Sequence, residues 1–178
     1  MSKKLSLIIP SKNEVESLGA VLEEIKNNKF IDEIIVIVDN KNDNSIPIIK
    51  NYNCKLIVQE KKGYGAAIIE GFRVAKNKFG CIYNADYSFD PTYFPKLTEL
   101  TKEYDFIFGS RYKGSGGSED DTIITFIGNK IFTFITRYIL RIKLSDILFT
   151  YVVCNVEKFN ILKLKNNDFK FCIELPVK

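Results

Sequence analysis

Between residues 5 and 110 the chain alternates short, largely apolar runs with longer segments whose apolar residues recur at helical spacing. The runs at 5–9, 34–38, 55–58, 80–84 and 106–108 read as strands. Between them, Val15, Leu18, Val21, Leu22 and Ile25 share one helical face, and Ser45-Ile46-Pro47 has the serine cap and early proline of a helix start. Residues 66–78 offer Ile68, Ile69, Phe72 and Ala75 for burial, and another helix is expected over 91–104. A strand that is apolar throughout must be covered on both faces, and strands separated by helices run parallel. The pattern predicts an α/β fold, a mostly parallel central sheet with helices on both faces. At 178 residues the length suits one domain over 1–178.

In such sheets ligands bind beyond the carboxyl ends of the strands. Those ends are polar here: Pro10-Ser11-Lys12-Asn13-Glu14, Asp39-Asn40-Lys41-Asn42-Asp43, Asn84-Ala85-Asp86 and Gly109-Ser110-Arg111-Tyr112. An Asp directly after a Val/Ile strand suits a ribose or a base edge. In Asn84-Ala85-Asp86-Tyr87-Ser88, strand alternation is expected to put Asn84, Asp86 and Ser88 on one side. An amide oxygen, a carboxylate and a hydroxyl suit a hard cation such as Mg2+ or Mn2+. The plainer reading is a polar loop before the helix that Pro91 opens. Gly63-Tyr64-Gly65-Ala66-Ala67 only partly matches G-x-G-x-x-G, because position 68 is Ile. Its glycines suit either the approach of an anion to a helix amino terminus or close packing of the helix.

The chain has no histidine, which excludes Ser-His-Asp and Cys-His nucleophiles and histidine-held zinc, and leaves carboxylates, lysines, arginines and a bound metal. Cys54, Cys81, Cys154 and Cys172 are far apart with no C-x-x-C pair, as expected of reduced core residues. Residues 1–121 carry 17 Lys+Arg against 18 Asp+Glu, whereas residues 122–178 carry 9 against 4. That basic back portion could face an anionic lipid or a phosphorylated substrate; no nucleic-acid-binding motif accompanies it, so no nucleic acid is expected as a partner.

Taken in order, Ile8-Ile9-Pro10-Ser11-Lys12-Asn13-Glu14, the strand ending at Asp39, Gly63-Tyr64-Gly65-Ala66-Ala67 with Gly71-Phe72, Asn84 to Pro91, Gly109-Ser110-Arg111-Tyr112, Gly128-Asn129-Lys130 and Asp146 resemble family-two glycosyltransferases. The resemblance is to the branch of dolichol-phosphate mannose synthases and polyprenyl-phosphate glycosyltransferases. It implies a GT-A fold, with residues 1–111 as a nucleotide-sugar-binding half and 112–178 as an acceptor-side half. It also implies a UDP- or GDP-linked sugar donor, a lipid-phosphate acceptor, and Mg2+ or Mn2+ bridging the diphosphate to a D-x-D element. By the same resemblance Pro10, Glu14 and Asp39 contact the nucleoside, Asn84 and Asp86 fill the D-x-D positions, and Ser88 is a third metal ligand. Arg111 faces the phosphates or the acceptor, and Asp86 and Arg111 carry the catalysis. Asn84 in place of the first Asp keeps an oxygen ligand but removes one negative charge.

This chemistry needs no histidine. A metal and a cation can stabilise a diphosphate leaving group, and a phosphate acceptor, with a second pKa of about 6, is already largely dianionic at neutral pH. No general base is assigned, and Asp90 is read as the start of the helix at Pro91. In residues 122–142, Thr122, Thr125, Asn129, Thr133, Thr136, Arg137 and Arg141 gather on one side of a helix, opposite a broad apolar face. The segment is too often interrupted to span a bilayer, and is read either as an interfacial helix or as a core helix. The acidic Glu119-Asp120-Asp121, in a Gly/Ser loop, is read as a mobile lid or a disordered segment. Met1-Ser2-Lys3-Lys4 leads directly into the first strand, so a cytoplasmic protein is expected, at most peripheral at a membrane surface or beside a membrane-protein partner. Two other functions stay open: a non-catalytic binder of a nucleotide sugar or a partner, and a sugar-phosphate nucleotidyltransferase. The latter calls for a glycine-rich, lysine-bearing loop after the first strand, where this chain has Pro10-Ser11-Lys12-Asn13-Glu14.

Overall fold

In the computed structural model residues 4–112 and 123–178 are described, with side chains for 4–112 and 127–178. The acidic segment 119–121 lies outside the described residues. Strand β1 (Leu5–Ser11) leads through α1 (Leu18–Ile25) to β2 (Ile31–Val38), then through a single turn, α2 (Ile46–Ile49), to β3 (Lys55–Val58). Helix α3 (Tyr64–Val74) returns the chain to β4 (Phe79–Ile82), and a short turn and α4 (Phe94–Leu100) precede β5 (Phe106–Phe108). Helix α5 (Ile123–Leu140), β6 (Val152–Asn155), α6 (Val156–Ile161) and α7 (Phe171–Val177) follow.

The six strands form one sheet in the order β3-β2-β1-β4-β6-β5. The first four are mutually parallel, with Leu7 of β1 opposite Ile34 on one side and Cys81 on the other. Strand β6 runs antiparallel between β4 and β5, pairing Gly80 with Cys154 and Ile107 with Val153. This insertion is the departure from the strand-helix alternation: a strand from the back of the chain separates two from the front.

Alternation along the buried strands divides the core into two layers. Leu7, Ile9, Val36, Val38 and Cys81 face α1 and α4, where Leu18, Val21, Leu22, Phe94 and Leu97 cover them. Ile8, Ile35, Ile37, Ile82 and Cys154 face α3, α6 and α7, where Ile68, Phe72, Phe159, Phe171 and Leu175 cover them. Each such side chain stabilises the fold by roughly 1.5–3 kcal/mol through burial. Helix limits shift where backbone geometry intervenes. Asn13 has φ 57°, which turns the chain, so α1 begins at Leu18 and Val15 is left exposed. Ser45 precedes α2 without a side-chain cap bond. Ala75 is extended, with ψ 132°, and so ends α3 short of residue 78.

Helix α5 reverses the usual orientation. Thr133 and Thr136 are buried, while Ile127, Ile131, Phe134, Tyr138 and Ile139 are exposed. The core reading of this helix is therefore not what the described residues show. No helix among the described residues is long and apolar enough to cross a membrane.

Candidate functional site

The sheet changes winding direction between β1 and β4: β1 leads to β2 on one side, and β4 lies on the other. Loops leaving these two carboxyl ends diverge and open a crevice. A cleft of about 650 Å³ occupies it, and its lining includes Pro10, Glu14, Asp39, Asn84 and Asp86. Five of the seven residues singled out in the sequence thus meet in one place. Lys12, Gln59, Lys62, Tyr64, Asp168 and Phe169 complete much of the wall.

Each rim segment is held by identifiable bonds. Buried Asp43 accepts from the Asn13 amide at 3.0 Å and from the Ser45 amide at 2.8 Å, which clamps the loop after β1 to the loop after β2. Pro10 lies within β1 and Asp39 directly follows β2, so the sheet itself places them. The loop after β4 is anchored below by aromatic packing. Tyr83 donates its hydroxyl to the Phe89 carbonyl at 2.7 Å, and Tyr151 donates to the Asp90 carbonyl at 3.1 Å. The Phe89 and Tyr151 rings stack at 4.6 Å. Asp90 accepts from the Thr92 amide at 2.8 Å, starting the helical turn at Pro91.

Asn84, Asp86 and Ser88 do come together, but not by strand alternation. The β4 ladder ends at Ile82, and Tyr87 adopts φ 61°, so the chain bends rather than extends. Asp86 Oδ1 accepts from the Ser88 amide at 3.0 Å and from its hydroxyl, and Asn84 donates Nδ2 to Ser88 Oγ at 3.1 Å. Asn84 Oδ1 in turn lies 3.2 Å from the Tyr64 hydroxyl, which is 2.8 Å from Thr150 Oγ1. Burial pushes the Tyr64 phenol well above its ordinary value, keeping it a neutral hydrogen-bonding group.

As a metal site this donor set is lean. Among the described residues no group of three or more His, Cys, Asp or Glu is placed to hold an ion. One carboxylate with two neutral oxygens fits a hard cation that completes its shell from phosphates, as Mg2+ commonly does. The cleft wall carries Glu14, Asp39, Asp86 and Asp168 against Lys12 and Lys62. A phosphorylated ligand set against this excess of acid would require added positive charge, which a divalent cation at Asn84, Asp86 and Ser88 would supply.

Arg111 is placed differently from Asp86. It is absent from the cleft lining, and its guanidinium grips Asp146 in a fork, Nε to Oδ2 at 2.8 Å and Nη2 to Oδ1 at 3.1 Å. It also lies against the rings of Tyr112 and Phe149. Ser88, too, is outside the lining and reaches it through Asp86.

The glycines beside the cleft answer to packing. A Cβ on Gly63 would lie 2.2 Å from the Asn167 carbonyl oxygen, and one on Gly65 would lie 2.3 Å from that of Asn166. The Ala66 amide donates to the Asn167 carbonyl at 3.1 Å, so the strap at 166–168 closes over the start of α3. Phe169 stacks on Tyr64 at 5.0 Å and completes this wall. Of the residues missed in the sequence, Gln59 and Lys62 follow β3 and were open to the rule that picked Asp39. Asp168 and Phe169 carry no local signal, because only the fold brings them there.

Glycosyl transferase family 2 matches residues 6–162, most of the chain. The chain belongs to this family. Among characterised relatives, the dolichol-phosphate mannosyltransferase of Pyrococcus furiosus is 34% identical over 125 residues, covering 66% of this chain and 36% of that protein. The Saccharomyces cerevisiae dolichol-phosphate mannosyltransferase is 26% identical over 132 residues, covering 68% and 49%. This family-2 chain thus matches less than half of the length of either relative. Among solved structures, glucosyl-3-phosphoglycerate synthase from Mycobacterium tuberculosis, in complex with Mn2+, UDP and glucosyl-3-phosphoglycerate, superposes with a TM-score of 0.74 at 15% identity. The superposition covers 97% of this chain and 63% of that one, and it establishes the GT-A fold.

Proposed function

We propose that this family-2 domain transfers a glycosyl unit from a nucleoside diphosphate sugar, bound in the cleft between β1 and β4, to a lipid phosphate. The observation that carries this reading is the convergence of Pro10, Glu14, Asp39, Asn84 and Asp86 on one cleft at the switch point of the sheet. Pro10, Glu14 and Asp39 hold the nucleoside end. Asp86, with Asn84 and Ser88, holds Mg2+ or Mn2+ against the diphosphate, and Lys12 and Lys62 are the cations nearest to it along the wall. Arg111 acts at the acceptor side, steadied by Asp146. The acceptor assignment draws its support from the two dolichol-phosphate mannosyltransferases.

The test is a thermal-shift panel of UDP, GDP and their sugar conjugates, each with and without Mn2+. At about one hundred times Kd, binding adds ~2.7 kcal/mol, a rise of roughly 5–10 °C for a domain of this size. A Mn2+-dependent rise with one nucleotide supports the donor class, and transfer of labelled sugar to a polyprenyl phosphate then tests the acceptor. Folded protein that shifts with none of them overturns the reading.

One observation favours a second reading, a non-catalytic binder of a nucleotide sugar. Both ends of the Asn84 amide have protein partners, Tyr64 at 3.2 Å and Ser88 at 3.1 Å, so metal ligation by its oxygen competes with an existing bond. Nucleotide binding indifferent to Mn2+ and without turnover would select it.

A further inference from the structure

The side chains that link Thr150 to Asp86 form one chain of hydrogen bonds, and the direction of each bond follows from what each group can donate or accept. The Asp86 carboxylate only accepts, and its Oδ1 takes the Ser88 hydroxyl proton. A serine side chain has one such proton, so Ser88 Oγ must accept at its 3.1 Å contact with Asn84. The amide nitrogen of Asn84 therefore faces Ser88, and its oxygen faces Tyr64. Because Asn84 Oδ1 cannot donate, the Tyr64 hydroxyl donates to it across 3.2 Å, and Thr150 donates to Tyr64 across 2.8 Å. Every bond runs the same way, from Thr150 to Asp86.

Asn84 Oδ1 is thus engaged, and a cation can use it only if Tyr64 lets go. The Tyr64 ring is held in place, stacked on Phe169 at 5.0 Å and set edge-on to Phe171 at 6.5 Å. What can move is the hydroxyl proton, which turns about its C–O bond. Thr150 Oγ1 is a second acceptor within reach, closer than Asn84 Oδ1. A proton turned to Thr150 keeps Tyr64 satisfied and frees the Asn84 oxygen. With no acceptor at position 150, the same release would leave a phenol donor unpaired in a partly buried wall, which is unfavourable.

We propose that Thr150 is a positioning residue for the cation site: by accepting the Tyr64 proton it frees Asn84 Oδ1 to act as a ligand. Thr150 does not line the cleft; it lies just before β6 and acts through Tyr64, which opens α3 and does line it. The two hydroxyls then work in opposite directions. That of Tyr64 competes with the cation, and that of Thr150 relieves the competition. The inference rests on the proposed use of the cleft by a nucleoside diphosphate sugar with a divalent cation.

The experiment is titration of Mn2+ into the full chain, followed by electron paramagnetic resonance, with saturating UDP and separately GDP, against blanks of nucleotide alone. The wild type is compared with Thr150→Val, Thr150→Ser, Tyr64→Phe and the double variant Tyr64→Phe/Thr150→Val, with melting curves to show that each is folded. Thr150→Val should weaken Mn2+ binding about fivefold or more, and Thr150→Ser, which keeps the hydroxyl, should restore it. Tyr64→Phe should tighten binding about threefold, and the double variant should match Tyr64→Phe, because without the phenol there is no proton to receive. A merely structural pair would move both single variants the same way. That result, or no change in either, with the wild type binding Mn2+, overturns this proposal alone. Wild-type protein that takes up Mn2+ with neither nucleotide overturns it together with the metal-dependent transfer reading.

Discussion

Asp146 accepts from Arg111 three times, from Nε at 2.8 Å, from Nη2 at 3.1 Å and from the backbone amide at 3.3 Å, with its own side chain wholly buried. The pair fastens the segment after β5 to the segment before β6. Truncating one partner leaves a buried charge unmatched. Asp146→Ala should therefore destabilise the domain by about 3–5 kcal/mol in urea unfolding. Arg111→Lys cannot reproduce the fork and should lower stability as well. If Arg111→Lys melts like the wild type but loses transfer, the ion pair is not its main duty.

The strap over α3 leaves no room at Gly65. An added Cβ would lie 2.3 Å from the Asn166 carbonyl oxygen and 2.6 Å from Phe171 Cβ, neither of which can rotate away. Gly65→Ala should cost about 1–3 kcal/mol and reduce nucleotide-induced stabilisation, since the strap carries Asp168 and Phe169. Unchanged denaturant midpoint and nucleotide response would show that the strap shifts freely.

Glu174 sets the acid limit of that strap. Burial opposes its ionisation, but Lys178 at 2.9 Å and the amides of Asn166 at 2.8 Å and Lys165 at 3.0 Å outweigh it and hold the carboxyl at about 2, against 4.5 ordinarily. A carboxyl depressed in the folded state stabilises above its unfolded value and loses that contribution as pH falls through its folded value. Stability should decline between about pH 5 and pH 2. Glu174→Gln should flatten that decline while lowering stability at neutral pH, as followed by circular dichroism.

Asn84→Asp should strengthen Mn2+ binding in the presence of nucleotide by at least about tenfold, an increment of ~1.4 kcal/mol. This is well within the ~4 kcal/mol for unit charges 4 Å apart at an effective dielectric near 20. Isothermal titration decides it. No gain would mean that the cation, if bound, is held elsewhere.

The parallel half of the sheet was legible because β1, β2 and β4 are largely buried on both faces and leave apolar runs spaced by helical periodicity. The polar residues directly after β1, β2 and β4 were legible by the rule for strand ends, and they supplied Lys12, Glu14, Asp39, Asn84 and Asp86 to the cleft wall. What escaped is long-range. Residues 152–154 are apolar, but nothing local says that they lie antiparallel between β4 and β5. The grouping of Asn84, Asp86 and Ser88 came from a bend at Tyr87, which an alternation argument cannot see. The clash that explains Gly63 and Gly65 involves carbonyls more than 100 residues away.

The position of β6 has a consequence for assembly. Among the described residues strand β5 pairs with β6 alone, and β6 fills the free edge of β4, so neither edge is satisfied until residue 155 has joined the sheet. During synthesis the front four strands emerge first, with β4 presenting unpaired amides and carbonyls to any neighbouring chain. A nascent chain of this family-2 domain therefore passes through a sticky interval, and whatever slows the arrival of residues 152–155 lengthens it.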